Sequence, residues 1–290
     1  MKIKRIFKVL AMAGVLAVPT TSCSDWLDVK MSDKMMENAL FSTNNGFMTA
    51  LNGVYMGMID VYGDDLSVGI IDVMAQYYDM VNGNHTYKVF ANYQYEDEAF
   101  KTKSNNIWTK MYALLANVNN LLEHCDEEGS ALRSEYYPIV KGEALALRAM
   151  MHFDLLRLFG PVPSLADGTP VLSYVTRVSS ELNPLLSFAK YKELLYADMK
   201  EAETLLKTHL DEGANDDYFA YRNIRMNWYA VRALWARIHL YFGEMDEAYQ
   251  AAMEVIGMTK EDGDKLFRLG TSEDVTNGDR KSTRLNSSHT

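Results

Sequence analysis

At 290 residues the chain has room for one large domain or two smaller ones, and a hydrophobic share of 48% is enough to build a core. Its formal charge is −10 with no basic stripe, which argues against nucleic-acid binding. Two cysteines, one of them expected below to be modified, exclude a disulfide framework.

Lys2, Lys4, Arg5 and Lys8 open the chain, and Val9 to Val18, VLAMAGVLAV, is apolar throughout. That run is too short to cross a bilayer core of about 30 Å as a helix. It fits the apolar region of a secretory signal, with Pro19 to Ser22 as the polar stretch before a cut. Cys23 follows, and SDWLD after it is polar and acidic. A cysteine at that junction predicts a lipoprotein, with a diacylglyceryl group on the thiol, cleavage before Cys23 and an acyl chain on the new amino terminus. Thr20 stands where such signals usually carry an aliphatic residue, and an ordinary secreted protein with an incidental cysteine is the other reading. Acyl burial contributes about 0.8 kcal/mol per methylene, so several chains on one residue anchor firmly. Removing residues 1–22 takes four positive side chains away, leaving 25 basic against 39 acidic residues, or −14. Cys125, the other cysteine, reads as an unpaired thiol.

The apolar spacing beyond is helical nearly throughout. Residues 44–59 align Phe47, Leu51, Val54 and Met58, and residues 105–124 align Ile107, Met111, Leu114, Val118 and Leu121. Residues 139–159 align Leu147, Met151, Leu155 and Leu158, with much of the opposite face apolar too, which predicts a buried helix. FGPVPSLADGTP stops it, since Gly160 and the prolines cannot continue a helix. A long connection over 160–187 leads to a helix at 188–207, with Leu194, Leu195, Met199, Ala202 and Leu206 as its stripe. A helix at 224–242 and its return at 246–257 flank the tight turn GEMDEA. Ala236, Gly243 and Ala248 let those two approach closely, as in a tetratricopeptide hairpin, although Arg232 and His239 occupy positions where that motif prefers aromatics. Residues 75–100, AQYYDMVNGNHTYKVFANYQYEDEAF, differ: Tyr87, Val89, Ala91, Tyr93 and Tyr95 alternate with mostly polar residues, which predicts a strand or extended loop.

Several segments together resemble the SusD/RagB family of glycan-binding outer-membrane lipoproteins. SCSDWLD resembles its lipidated amino terminus, and IWTKMYALLANVNNLLE its first long helix. GEALALRAMMHFDLLRLFGPVP resembles the family's glutamate, Arg-Ala pair, aromatic-rich helix and Gly-x-x-Pro, here Glu143, Arg148 with Ala149, Phe153, Gly160 and Pro163. KYKELLYADMKEAETLL and RMNWYAVRALWARIHLYFGEMDEAYQAAMEVI resemble the following helices. The resemblance covers residues 20–258. It implies an all-α fold of degenerate tetratricopeptide-like helix hairpins with irregular loops, and a binding protein, not an enzyme, without metal or other cofactor. It also implies partners: a TonB-dependent, SusC-like outer-membrane transporter on which the lipoprotein sits as a lid, a glycan or sometimes a peptide to pass into it, and the membrane through the lipid anchor. Asp25 and Asp28 resemble the signal that sends such lipoproteins to the cell surface. The expected organisation is a signal peptide at 1–22, a truncated SusD-like helical domain at 23–279, since family members are roughly twice this length, and a tail at 280–290. That tail, RKSTRLNSSHT, resembles translated sequencing-adapter read-through, a natural disordered tail being the alternative.

A sugar offers ring hydroxyls and apolar C–H faces, which amide or carboxylate groups and flat aromatic rings match. Tyr77, Tyr78, Asp79, Asn82, Asn84, Tyr87, Tyr93 and Tyr95 supply both kinds and are the candidate ligand-binding residues. The same tyrosines could equally be packing residues with wet hydroxyls. Glu123, His124, Asp126, Glu127 and Glu128 read as a solvated helix end before a cation site, and Trp26 and Trp108 as packing residues. Glu143 with Arg148, and Asp154 with Arg157 at three-residue spacing, are the candidate ion pairs. No Gly-x-Ser-x-Gly, His-Glu-x-x-His or phosphate-cradling loop occurs. Two other readings stay open. One is an all-α surface glycoside hydrolase, for which Asp64, Asp65, Asp72 and Asp79 have the right chemical type and which needs two carboxylates about 5–9 Å apart. The other is a tetratricopeptide scaffold lipoprotein.

Overall fold

The computed structural model describes residues 29–78, 80, 85–207, 220–260, 263 and 265–267. The signal segment, Cys23, Trp26 and residues 280–290 lie outside them. Helix α1, Val29–Leu40, falls in a first unit that ends at Leu40; Phe41 begins the second.

The second unit is all-α. Its long helices are α2 (Asn44–Tyr62), α5 (Glu98–Asp126), α6 (Tyr137–Phe159), α7 (Phe188–Lys207), α8 (Trp228–Tyr241) and α9 (Met245–Ile256). Two short helices, α3 (Ile70–Met74) and α4 (Lys88–Ala91), lie between α2 and α5. Local chemistry sets the ends. The side chains of Thr43, Asp97 and Asn227 accept from the backbone N–H groups of Gly46, Ala99 and Ala230. Pro138 sits in the first turn of α6, and Gly160 ends it.

Each long helix packs on the next: α2 on α5, α5 on α6, α6 on α7, α7 on α8 and α8 on α9. Side-chain pairs fix their sense. Along α6 and α7, Arg148 meets Asp198 and His152 meets Tyr191, so one number rises as the other falls and the helices run antiparallel. Asp126 with Lys141, then Asn119 with Arg148, give the same sense for α5 and α6. Arg232 with Glu254, then His239 with Glu244, give it for α8 and α9. Gly243, at φ +76°, makes the tight turn between the last two, a backbone state that costs a side-chain-bearing residue energy. The apolar stripes all face inward: Leu51, Met111, Leu115, Leu147, Met151, Leu155, Leu195 and Met199 are buried completely. Helix α6 is buried nearly all round because α2, α5, α7 and α8 all pack on it. Among the described residues no helix is long and apolar enough to cross a membrane.

The connection over 160–187 carries a short antiparallel hairpin, β1 (Pro170–Leu172) with β2 (Leu186–Ser187). The described residues of 75–100, expected to be a strand or extended loop, instead form turns around α4 that lead into α5. The alternation misled because the residue that anchors the segment is Phe90, outside the alternating set. Phe90 is buried and stacks on Phe100 at 4.4 Å, while Tyr93 and Tyr95 stay exposed.

Candidate functional site

The segments that flank α3 and α4 hold the candidate tyrosines. Gln76 and Tyr93 both take left-handed backbone conformations, at φ 62° and 52°. Such residues cost on the order of 1 kcal/mol or more and persist only where neighbours fix them. Here the two segments fix each other. Gln76 Nε2 donates to the Ala91 carbonyl at 3.0 Å, and the Tyr93 hydroxyl donates to the Met74 carbonyl at 2.6 Å. Tyr93 therefore stands on the α3 turn with its ring outward. The Tyr93 and Tyr95 rings are 6.4 Å apart and tilted by 38°, and Tyr95 rests edge-on against Phe100 at 4.9 Å. These two tyrosines, with Gln94, Glu96 and Asp97, line an open depression of ≈ 540 Å³. Tyr77 and Tyr78 leave the same α3 turn and are 76% and 45% exposed.

Tyr87 does a different job. Its hydroxyl lies 2.8 Å from Asp64 Oδ2 and 2.8 Å from Asp65 Oδ1, and Lys103 Nζ reaches Asp65 at 2.7 Å. Burial, then hydrogen bonds to Asp64 and Asp65, raise its pKa, so Tyr87 stays a neutral donor. A Cβ on Gly69 would come within 3.1 Å of that hydroxyl and 2.8 Å of the Asp64 carbonyl, so the crossing admits only glycine. The knot ties the loop after α2 to α4 and α5. It also changes how Asp64 and Asp65 read as hydrolytic carboxylates: both converge on one hydroxyl, and Asp65 also holds Lys103, instead of facing each other across a cleft. Of the candidate residues, Tyr77, Tyr78, Tyr93 and Tyr95 are presented to solvent and Tyr87 is structural. Asp79, Asn82 and Asn84 lie outside the described residues. Gln76, which props Tyr93, carries no sequence signal of that role, because the role depends on a backbone turn that periodicity does not encode.

Two buried polar knots hold the helices beneath. Glu143, fully buried, accepts from Tyr55 Oη at 2.5 Å and pairs with Arg222, while Tyr55 Oη accepts from the Met226 N–H at 2.9 Å. It thus docks the 220–227 segment on α2 and α6. Arg148 donates from Nε and Nη2 to Asp198, at 2.7 Å each, and from Nη1 to Asn119 at 2.9 Å; Tyr174 Oη donates to the same Asp198 at 2.6 Å. The expected Glu143–Arg148 pair does not form. Five residues along a helix turn a side chain by about 140° at 3.6 residues per turn, so the two point to different neighbours. Asp154 and Arg157 do pair, at 2.7 Å, and Tyr62 donates to Asp154 at 2.9 Å.

Above the second knot, five side chains grip the extended segment Ser173–Val178 by its backbone. Tyr112 and Asn119 donate to the carbonyls of Ser173 and Val175, and Arg148 donates to that of Thr176. The N–H of Val178 donates to Glu123, and the N–H of Val175 to His152 Nε2 at 3.1 Å. His152 is therefore the Nδ1–H tautomer, which donates to Tyr191 Oη at 3.1 Å, and Tyr191 donates onward to the His152 carbonyl at 2.7 Å. Burial holds the His152 pKa down to about 3; the Val175 carbonyl opposes this and the Arg148 charge assists it. The acidic end of α5 is likewise engaged: Asp126 accepts from Tyr137 and Lys141, and His124 contacts Glu127 at 2.9 Å. Among the described residues no group of three or more His, Cys, Asp or Glu is placed to hold a metal. Trp108 packs edge-on against Phe159 at 5.1 Å and keeps 37% of its surface exposed.

A model of the SusD-like family, described as starch-binding and associating with the outer membrane, matches residues 25–240, well over half of the chain. The chain belongs to the SusD-like family. A SusD-like protein of Formosa agariphila is 24% identical over 261 residues, covering 86% of this chain and 44% of that protein. The fold is that of a SusD-like carbohydrate-binding protein from Bacteroides vulgatus, at TM-score 0.58 and 15% identity over 76% of this chain and 47% of the other. A SusD superfamily protein from Bacteroides thetaiotaomicron gives TM-score 0.59 and 17% identity, over 75% and 48%. This SusD-like chain thus spans about half the length of the relatives it matches.

Proposed function

We propose that this SusD-like chain belongs to a cell-surface lipoprotein, anchored through Cys23, that captures oligosaccharides and delivers them to a TonB-dependent outer-membrane transporter without hydrolysing them. In this reading residues 1–22 are the signal peptide, residues 23–279 belong to the helical domain, and residues 280–290 are foreign to it. The supporting observation is the Tyr93–Tyr95 pair: two rings, propped from below by the Met74 carbonyl and Phe100, open to solvent and flanked by amide and carboxylate groups. Two stacked rings contribute about 1 kcal/mol each. A few hydrogen bonds add about 1 kcal/mol apiece. Affinity then falls roughly in the millimolar to micromolar range. Weak capture suits a protein that must release its ligand into a transporter.

The test is alanine at Tyr77, Tyr78 and Tyr93 together, with oligosaccharide binding measured by titration calorimetry and folding by circular dichroism. Glycan binding is expected to weaken at least tenfold with the helical signal intact. Unchanged binding in a folded variant moves the site elsewhere, and growth of sugar product during incubation turns the reading to a hydrolase.

A further inference from the structure

The surroundings of the Tyr93–Tyr95 pair are acidic. Glu96 and Asp97 line the same depression, and Glu98 follows in the first turn of α5. The side chains of Glu96 and Glu98 are 96% and 89% exposed. Lys101 is the cation beside them, and it is drawn to Glu96 at 3.1 Å and Glu98 at 3.6 Å. Lys103, the next cation along α5, is paired with Asp65 at 2.7 Å. The start of α5 could itself attract an anion through its free N–H groups and dipole. That place is taken: the Asp97 carboxylate accepts from the Ala99 N–H at 2.8 Å. Three carboxylates against one lysine leave a net negative field at the edge of the rings.

We propose that this platform selects uncharged or amine-bearing glycans and rejects uronates and sulfate esters, an inference that rests on the glycan-binding reading of this face. Ionised carboxylates only accept hydrogen bonds, so they match sugar hydroxyls and ammonium groups, which donate. A uronate or sulfate stacked on Tyr93 or Tyr95 would bring an acceptor-only anion beside Glu96 and Asp97, with like-charge repulsion, while Lys101 and Lys103 are already engaged by carboxylates. Because the acidic side chains are exposed, water and salt weaken the field, and the discrimination is about tenfold at low ionic strength, not thousandfold.

The experiment uses the full chain and a panel of oligosaccharides: neutral malto-, cello-, xylo- and manno-oligosaccharides, chitosan oligomers, oligogalacturonates and sulfated galactans. Affinities are measured at about 0.01 M and about 1 M salt, where the screening length is about 30 Å and about 3 Å. The wild type is compared with the variant Glu96→Gln, Asp97→Asn, Glu98→Gln, in which Asn keeps the helix cap, and with Tyr93→Ala, Tyr95→Ala. Neutral or amine-bearing members are expected to bind at least tenfold tighter than anionic ones at low salt. The gap should shrink severalfold in the amide variant and at high salt, chiefly because anionic glycans bind tighter. An anionic glycan bound as tightly as the best neutral one, and lost with the tyrosines, overturns the charge selection and leaves the platform standing. A gap that ignores both salt and the amide variant overturns it too. Glycan binding that survives loss of both tyrosines, or no glycan binding at all, removes the platform reading itself.

Discussion

Asp198→Ala removes the acceptor for three donors at once. Arg148 Nε and Nη2 lose their 2.7 Å bonds, and Tyr174 Oη loses its 2.6 Å bond. Arg148 retains Asn119 and the Thr176 carbonyl but no carboxylate bonded to it, and it is only 8% exposed. Burial works against the charged guanidinium, and in the intact protein the bonds to Asp198 more than offset it, raising the pKa. Breaking a buried pair by removing one partner costs about 3–5 kcal/mol, because the other charge stays uncompensated. At about 2–4 °C per kcal/mol for a chain of this size, the thermal midpoint should fall by about 10 °C. Urea denaturation followed by tryptophan fluorescence gives the free energy, and a thermal scan by circular dichroism gives the midpoint. Tyr174→Phe, which loses one hydroxyl bonded to that carboxylate, should cost less, about 1.5–3 kcal/mol. If Asp198→Ala costs less than about 1 kcal/mol, or no more than Tyr174→Phe, Arg148 is not held as a buried cation and the knot is not what joins α6 to α7.

His152 has a folded pKa near 3 against about 6.5 when unfolded, so below pH 6.5 the unfolded chain binds the extra proton. Stability is therefore full above about pH 6.5 and falls by roughly 1.4 kcal/mol per unit as pH drops toward 3; urea titrations of His152→Gln should lack that slope. Glu143→Gln removes the charge that holds Arg222, and opening of the 220–227 segment should rise about tenfold, for a charged hydrogen bond of about 1.5 kcal/mol or more. Limited trypsin digestion reads it as faster cleavage after Arg222 and Arg225, and an unchanged pattern counts against Glu143 as the anchor. Cys23→Ala should move the protein from the membrane pellet to the soluble fraction and abolish palmitate labelling; retention in the pellet argues against the anchor.

Helices whose apolar residues face one neighbour are legible in the sequence. The stripe through Leu195, Met199, Ala202 and Leu206 marks α7 as 188–207, and the structure places it there. Helix α5 begins at Glu98, seven residues before its expected start at 105, because its first turns are polar and held by the Asp97 cap instead of by core burial. The partners of Glu143 and Arg148 were not legible, since they come from α2, α7 and the 220–227 segment, far away in sequence. At the candidate site, composition located the aromatic residues. Which rings face water depends on the two left-handed turns at Gln76 and Tyr93 and on the Asp64–Asp65 knot that claims Tyr87.

The five-point grip on Ser173–Val178 touches only main-chain atoms of that strip. Its path is thus dictated by the helices beneath, while several of its own side-chain letters are left free. Tyr174 is committed to Asp198, and the Ser173 hydroxyl donates to the Asn183 carbonyl at 3.0 Å. Relatives can therefore rewrite the strip's outward chemistry at little cost to its course, whereas a proline at 175 or 178, lacking the needed N–H, should dislodge it.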